Sequence, residues 1–149
     1  MTKDIKIVPE EIHLFHIDVV ESVIKEGSER KKGEFELGLA HTMMHNLKDN
    51  RVKIGLFIDL SSKYTTEDES TNAHFSIDFH YQVENLGNFY KLKDDGQPIF
   101  SALLITTLLG LSLSTGRGII YEKLSNSNFR GIIIPVLDAR KILTEKRNK

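Results

Sequence analysis

Apolar and polar residues alternate with a period of two over four stretches of the chain, then give way to one long uncharged run. From Ile12 to Ile24, IHLFHIDVVESVI places Phe15, Ile17, Val19 and Val23 at spacings of two and four. That is the period of a strand, with β-branched residues suited to a pleated surface. EFELGLAHTMM continues it with Phe35, Leu37, Leu39 and Met43 on one face, and VKIGLFIDLSS with Val52, Ile54, Leu56, Ile58 and Leu60. The sharpest alternation is AHFSIDFHYQV, where Phe75, Ile77, Phe79, Tyr81 and Val83 face one way and His74, Ser76, Asp78, His80 and Gln82 the other. The polar turns KEGSERKKG, LKDNR and KYTTEDESTN separate these runs. The pattern therefore predicts a four-stranded antiparallel sheet with one buried face. Ile5–Val8, stopped by Pro9, reads as a short edge strand or a loose arm.

LKDDGQP, with Gly96 and Pro98 as breakers, closes this half. A long helix is predicted next, from Pro98 to Leu124. No charged residue occurs from Pro98 to Gly116, although 28% of the chain is charged. Apolar residues occupy nearly every helical face between Ile99 and Leu113, so the helix is expected to be covered on more than one side. The run is just long enough to span a bilayer. Ser101, Thr106, Thr107, Ser112, Ser114 and Thr115 interrupt it, however, and the mean hydropathy of the chain is -0.25. A core helix is expected, without membrane insertion. SNSN then reads as a turn, Ile132–Pro135 as extended because proline disfavours the α conformation before it, and Asp138 as the N-cap of a short final helix, ARKILTEK. Strands first and helices afterwards make an α+β protein: a four-stranded antiparallel sheet followed by a long apolar helix and a short C-terminal helix.

At 149 residues and 17.0 kDa, residues 1–149 are read as a single domain able to bury a sizeable core. A net charge of -1 and a pI near 6.6 supply no global field to recruit nucleic acid or anionic lipid. The absence of cysteine excludes disulfide and thiolate chemistry and fits a cytoplasmic location. MTKDIKIVPEEIH lacks the basic-then-apolar pattern of a signal peptide.

Candidate chemistry is sparse. The six histidines, His13, His16, His41, His45, His74 and His80, all fall in predicted strands and are expected on the solvated sheet face. No HExxH or other metal-ligand spacing is present, so no metal site is predicted. Asp59 and Asp78 would serve as general bases only if buried beside a histidine; an outward-facing position is expected for Asp78. GLSLSTG and STGRG lack the lysine of a phosphate-binding loop and do not follow a strand. The basic tail EKRNK is a solvated terminus rather than a nucleic-acid arm. The chain reads as a non-enzyme without a cofactor.

Leu111–Leu143, LSLSTGRGIIYEKLSNSNFRGIIIPVLDARKIL, resembles the C-terminal half of the SecB protein-export chaperone family. The matching features are Arg117 in the second half of a long apolar helix, a serine-containing turn, the aromatic Phe129, and Pro135–Val136 leading into the last helix. The four strands before it follow the same order, so the resemblance runs from about Ile12 to Leu143. It implies a dimer of dimers with the long helices sandwiched between sheets, and grooves that bind unfolded polypeptide without ATP. It also implies SecA as an export partner, although the C-terminus here is basic where that family's is acidic.

The combined expectation is an ATP-independent holdase that binds unfolded or extended polypeptides as a homo-oligomer. Its peptide-binding residues would be Phe129, Ile132, Ile134, Val136, Leu137 and Ile142, near the turn between the helices. Its oligomer interface would use Ile99, Leu103, Thr106, Leu109 and Leu113. Arg117 is expected to anchor the long helix through an ion pair. Two alternatives stand beside this reading: a SecB-like chaperone serving a toxin–antitoxin system, and a hot-dog-like acyl or thioester binder or enzyme with its ligand beside Asp59, Asp78 or a histidine.

Overall fold

The computed structural model describes residues 6–25, 35–62, 72–127 and 129–147. The strands are β1 (Ile12–Lys25), β2 (Phe35–Asn46), β3 (Arg51–Ser62) and β4 (Asn72–Val83), within a residue or two of the boundaries read from the alternation. All pairs are antiparallel and the order is β1-β4-β3-β2, so the first two strands form opposite edges. Lys6–Val8 form no strand, and Ile5 lies outside the described residues, as do most of the turns after β1 and β3. The β2–β3 turn closes on Asn50, which adopts φ 55°, a left-handed conformation that asparagine tolerates better than most residues.

On the inner face, Val52, Ile54, Leu56, Ile58 and Leu60 of β3 stand beside Phe75, Ile77, Phe79, Tyr81 and Val83 of β4, all buried. Strand β1 departs from the simple alternation. Its pairing with β4 slips between Leu14 and His16 and again between Val19 and Glu21, so Phe15 and Val20 are extra residues in bulges. Each bulge moves the following residues over by one position. Ile17 and Val19 face inward opposite Phe79 and Ile77, whereas Phe15 meets the outer-face His80 ring and Val23 lies opposite His74. The four residues assigned to one face therefore divide between two.

Pro98 does not begin the helix. Tyr90–Leu92 (β5) and Pro98–Phe100 (β6) form a small hairpin whose turn contains Gly96 at φ 83°, a region that favours glycine. Helix α1 (Ala102–Lys123) starts at Ser101, whose side-chain oxygen accepts from the Leu104 N–H at 3.2 Å. It lies on the inner face of β3 and β4, and at Gly116 an added Cβ would sit 3.5 Å from both Leu56 and Phe79. Helix α2 (Ala139–Arg147) touches α1 and starts as expected at Asp138, whose side chain accepts from the Arg140 N–H at 2.9 Å.

Candidate functional site

Helix α1 has one dry face rather than an all-round covering. Leu104, Leu108, Leu109, Ser112, Leu113, Gly116 and Ile120 are buried against the sheet. By length and composition the helix could cross a membrane, but the leucines of this buried face pack as a core helix does. On the opposite side Leu103, Leu111 and Tyr121 are exposed, and none of the described residues comes within 4 Å of a Cβ built at Gly110 or Gly118. Of the interface candidates, Ile99 and Leu103 are exposed and Thr106 is half-buried. Leu109 and Leu113 are core residues of this chain, at 0% and 9% exposure, and offer no surface to a partner. The threonines beside the exposed stripe are satisfied internally, Thr106 donating to the Ala102 carbonyl and Thr107 to the Leu103 carbonyl, each at 2.7 Å. A partner covering them would strand no hydroxyl.

The segment between the helices divides in the same way. Phe129 is fully buried, its ring 5.1 Å from that of Phe35, and Ile134 is 5% exposed; both are core, and their assignment to a groove is corrected. Ile132, Leu137 and Ile142 are half-buried against the core. Val136 is 83% exposed, and its neighbour Ile133, absent from the candidates, is 64% exposed. Ile132–Ile134 is a run of three isoleucines with no period of its own, so only the anchoring of Phe129 and Ile134 decides which one faces out. Arg117 is half-buried and, among the described residues, makes no ion pair with a carboxylate, contrary to expectation.

The edge strand β1 adds a second apolar surface. Leu14 and Ile17 are exposed on its inner face, Phe15 and Val23 on its outer face, and Val20 at a bulge.

The two acids singled out in the sequence are surface groups of the sheet. Asp59 and Asp78 lie on the outer sheet face, opposite α1, where His74 Nδ1 hydrogen-bonds the Asp59 carboxylate and Lys53 Nζ lies 3.7 Å from Asp78. His74 also faces Glu21 at 3.6 Å. Of the groups named for the acyl-binding alternative, the two acids thus lie on the sheet face away from α1, whereas His41 and His45 lie on the face toward it. Among the described residues, no three His, Cys, Asp or Glu side chains converge as metal ligands. Two histidines are not on the solvated face. His41 is buried opposite Leu56, and His45 lies opposite Val52 with its ring 5.5 Å from Phe100.

No family model and no curated protein sequence matches the chain. Among solved structures, the Mycobacterium tuberculosis SecB-like chaperone Rv1957 superposes with a TM-score of 0.60, over 86% of this chain and 91% of that one, at 12% identity. The fold is SecB-like. That chaperone's structure is a complex with a ChAD peptide from the Rv1956 HigA1 antitoxin. A Streptococcus agalactiae protein of unknown function aligns at TM-score 0.44 and 11% identity, over 84% of this chain and 97% of that one. The SecB-like sheet, long helix and short C-terminal helix agree with the α+β class read from the sequence, at an identity where only the three-dimensional pattern persists.

Proposed function

We propose that this chain is a holdase: a homo-oligomeric, cytoplasmic chaperone that binds extended polypeptide without ATP. The observation that carries the reading is the segment from Phe129 to Val136. Phe129 and Ile134 anchor it to the core while Ile133 and Val136 project outward from backbone without regular secondary structure. Such a strip can bury client side chains at about 25 cal/mol per Å² of apolar surface, on a support already ordered before the client arrives. The SecB-like fold supports this, because the solved chaperone that shares it holds a peptide. Oligomerisation would use the exposed stripe of α1, with Leu103, Leu111 and Tyr121 flanking Gly110, Ser114 and Gly118.

The test is suppression of aggregation of a chemically denatured model protein on dilution, with and without ATP. Near-stoichiometric protection that ATP leaves unchanged is the expected result. No protection, and no peptide binding at any salt concentration, would sink the reading.

One observation favours a narrower client class. The peptide held by the Rv1957 chaperone comes from an antitoxin, so a disordered antitoxin segment is the first client to assay. This reading does not depend on SecA.

A further inference from the structure

On the outer sheet face, at the end where β2 turns into β3, an open cleft of about 420 Å³ is lined by Phe15, His16, Met44, Arg51, Lys53 and His80, among others. Its size falls within the range of ligand-binding clefts. Strand register places four of these residues in one row across the sheet, Met44–Lys53–His80–His16. The first bulge of β1 turns Phe15 onto the same face, 6.0 Å from the His80 ring, and the Arg51 guanidinium lies 4.9 Å over the Phe15 ring.

We infer that this cleft docks a short acidic polypeptide segment of a partner protein, laid across the strands. The lining contains no carboxylate. Among the described residues, no carboxylate pairs with Arg51, whereas Lys53 already has Asp78 at 3.7 Å. A guanidinium over an aromatic ring and without a carboxylate partner keeps N–H donors for an incoming carboxylate, which it can receive on two of them. His16 and His80, with ring centroids 5.3 Å apart, add N–H donors beside it. The exposed side chains of Met44 and Phe15 supply apolar contacts at the two sides of the row. Three strand spacings span about 14 Å, which an extended segment of about four residues covers. The neighbouring row contains Asp78 paired with Asp18, so an acidic segment running along the strands would meet like charge. This surface lies on the opposite face from α1 and does not depend on the holdase reading.

The probe is a short dye-labelled peptide of glutamates interrupted by phenylalanines, with a lysine-for-glutamate counterpart, followed by fluorescence anisotropy against the full chain. The glutamate peptide should bind and the lysine peptide should not. Arg51→Glu should weaken binding about tenfold or more, and Arg51→Lys should fall between. Aggregation suppression and the melting transition should stay at wild-type values in both variants. Equal binding of the lysine peptide, wild-type affinity in Arg51→Glu, or no binding of the glutamate peptide would overturn the inference. So would displacement of that peptide by a single-stranded oligonucleotide or by an unfolded client, because the site would then belong to another ligand.

Discussion

The hydroxyl of Tyr81 on β4 lies 2.8 Å from the hydroxyl of Ser112 on α1, and Ser112 in turn donates to the Leu108 carbonyl at 2.8 Å. These two polar groups, buried among leucines, fix how far along the sheet the helix sits. A helix otherwise held by leucines could slide past isoleucine and phenylalanine neighbours at small cost. A buried hydroxyl that loses its partner costs about 1–3 kcal/mol, so sliding is penalised.

Tyr81→Phe removes this tie without stranding Ser112, which keeps its bond to Leu108. A loss of about 1 kcal/mol at neutral pH is expected. Burial raises the Tyr81 pKa above the ordinary value of 10.0, against a smaller opposing effect of the Ser112 hydrogen bond. The unfolded chain therefore loses this proton at lower pH than the native one. The associated stability is complete below about pH 10 and falls as pH rises through the raised native value. Urea titrations at neutral and alkaline pH should show a steeper alkaline loss in wild type than in Tyr81→Phe; equal slopes would refute this account.

Gly116 tests how tightly α1 meets the sheet. A Cβ there would make ordinary contact with Leu56 and Phe79, at 3.5 Å. Gly116→Ala should therefore be neutral or gain about 0.5–1 kcal/mol from helix propensity. Gly116→Leu has nowhere to go and should cost about 1–3 kcal/mol. Thermal melting of the pair decides; equal melting temperatures would mean that the helix is more loosely seated.

The inter-helix segment makes opposite predictions for adjacent residues. Phe129→Ala should cost about 3–5 kcal/mol and Ile134→Ala about 2–5 kcal/mol. Ile133→Ser and Val136→Ser should change stability by about 0.5 kcal/mol or less yet weaken protection of a denatured client. If the second pair protects as wild type does, the client surface is elsewhere.

Leu103→Glu with Leu111→Glu places charge on the exposed stripe of α1 and leaves its buried face untouched. Light scattering should show the oligomer falling to a smaller species while the circular dichroism of the chain is retained. A wild-type monomer at micromolar concentration would remove the basis for this prediction.

His74→Gln alters a side chain at the surface of the sheet, between Asp59 and Glu21. Its effect on stability should stay within about 0.5 kcal/mol. Stoichiometric zinc in purified protein, lost in this variant, would overturn the assignment of these groups to surface pairing.

Much of this architecture is legible along the chain because β2, β3 and β4 keep an uninterrupted period of two. Val52 to Leu60 and Phe75 to Val83 name their own inner face. Strand β1 departs from its sequence pattern where Phe15 and Val20 add single residues, since a bulge is a relation to the partner strand and leaves no local mark. The β5–β6 hairpin is not legible in the sequence because strands of three residues show no measurable alternation, and Pro98 has the form of a helix start. Polarity alone puts His41 outside, but its position two residues from Leu39 and Met43 gives it their face. Burial between the helices is the hardest to read: Phe129 and Ile134 have the same bulky, apolar character as Ile133 and Val136, and only packing against Phe35 and the core separates them.

An edge strand with exposed apolar groups on both faces is a template on which identical chains can add without limit, the geometry from which fibres grow. Stacking of that kind needs flat, straight strands in matching register. Within β1, Phe15 and Val20 interrupt the pairing twice in six residues, and each bulge bends and twists the strand. A second edge meeting this one finds a curved rail whose register breaks before a third copy can align. The same two residues that break the strand's alternation thus make this edge a poor template for continuous pairing.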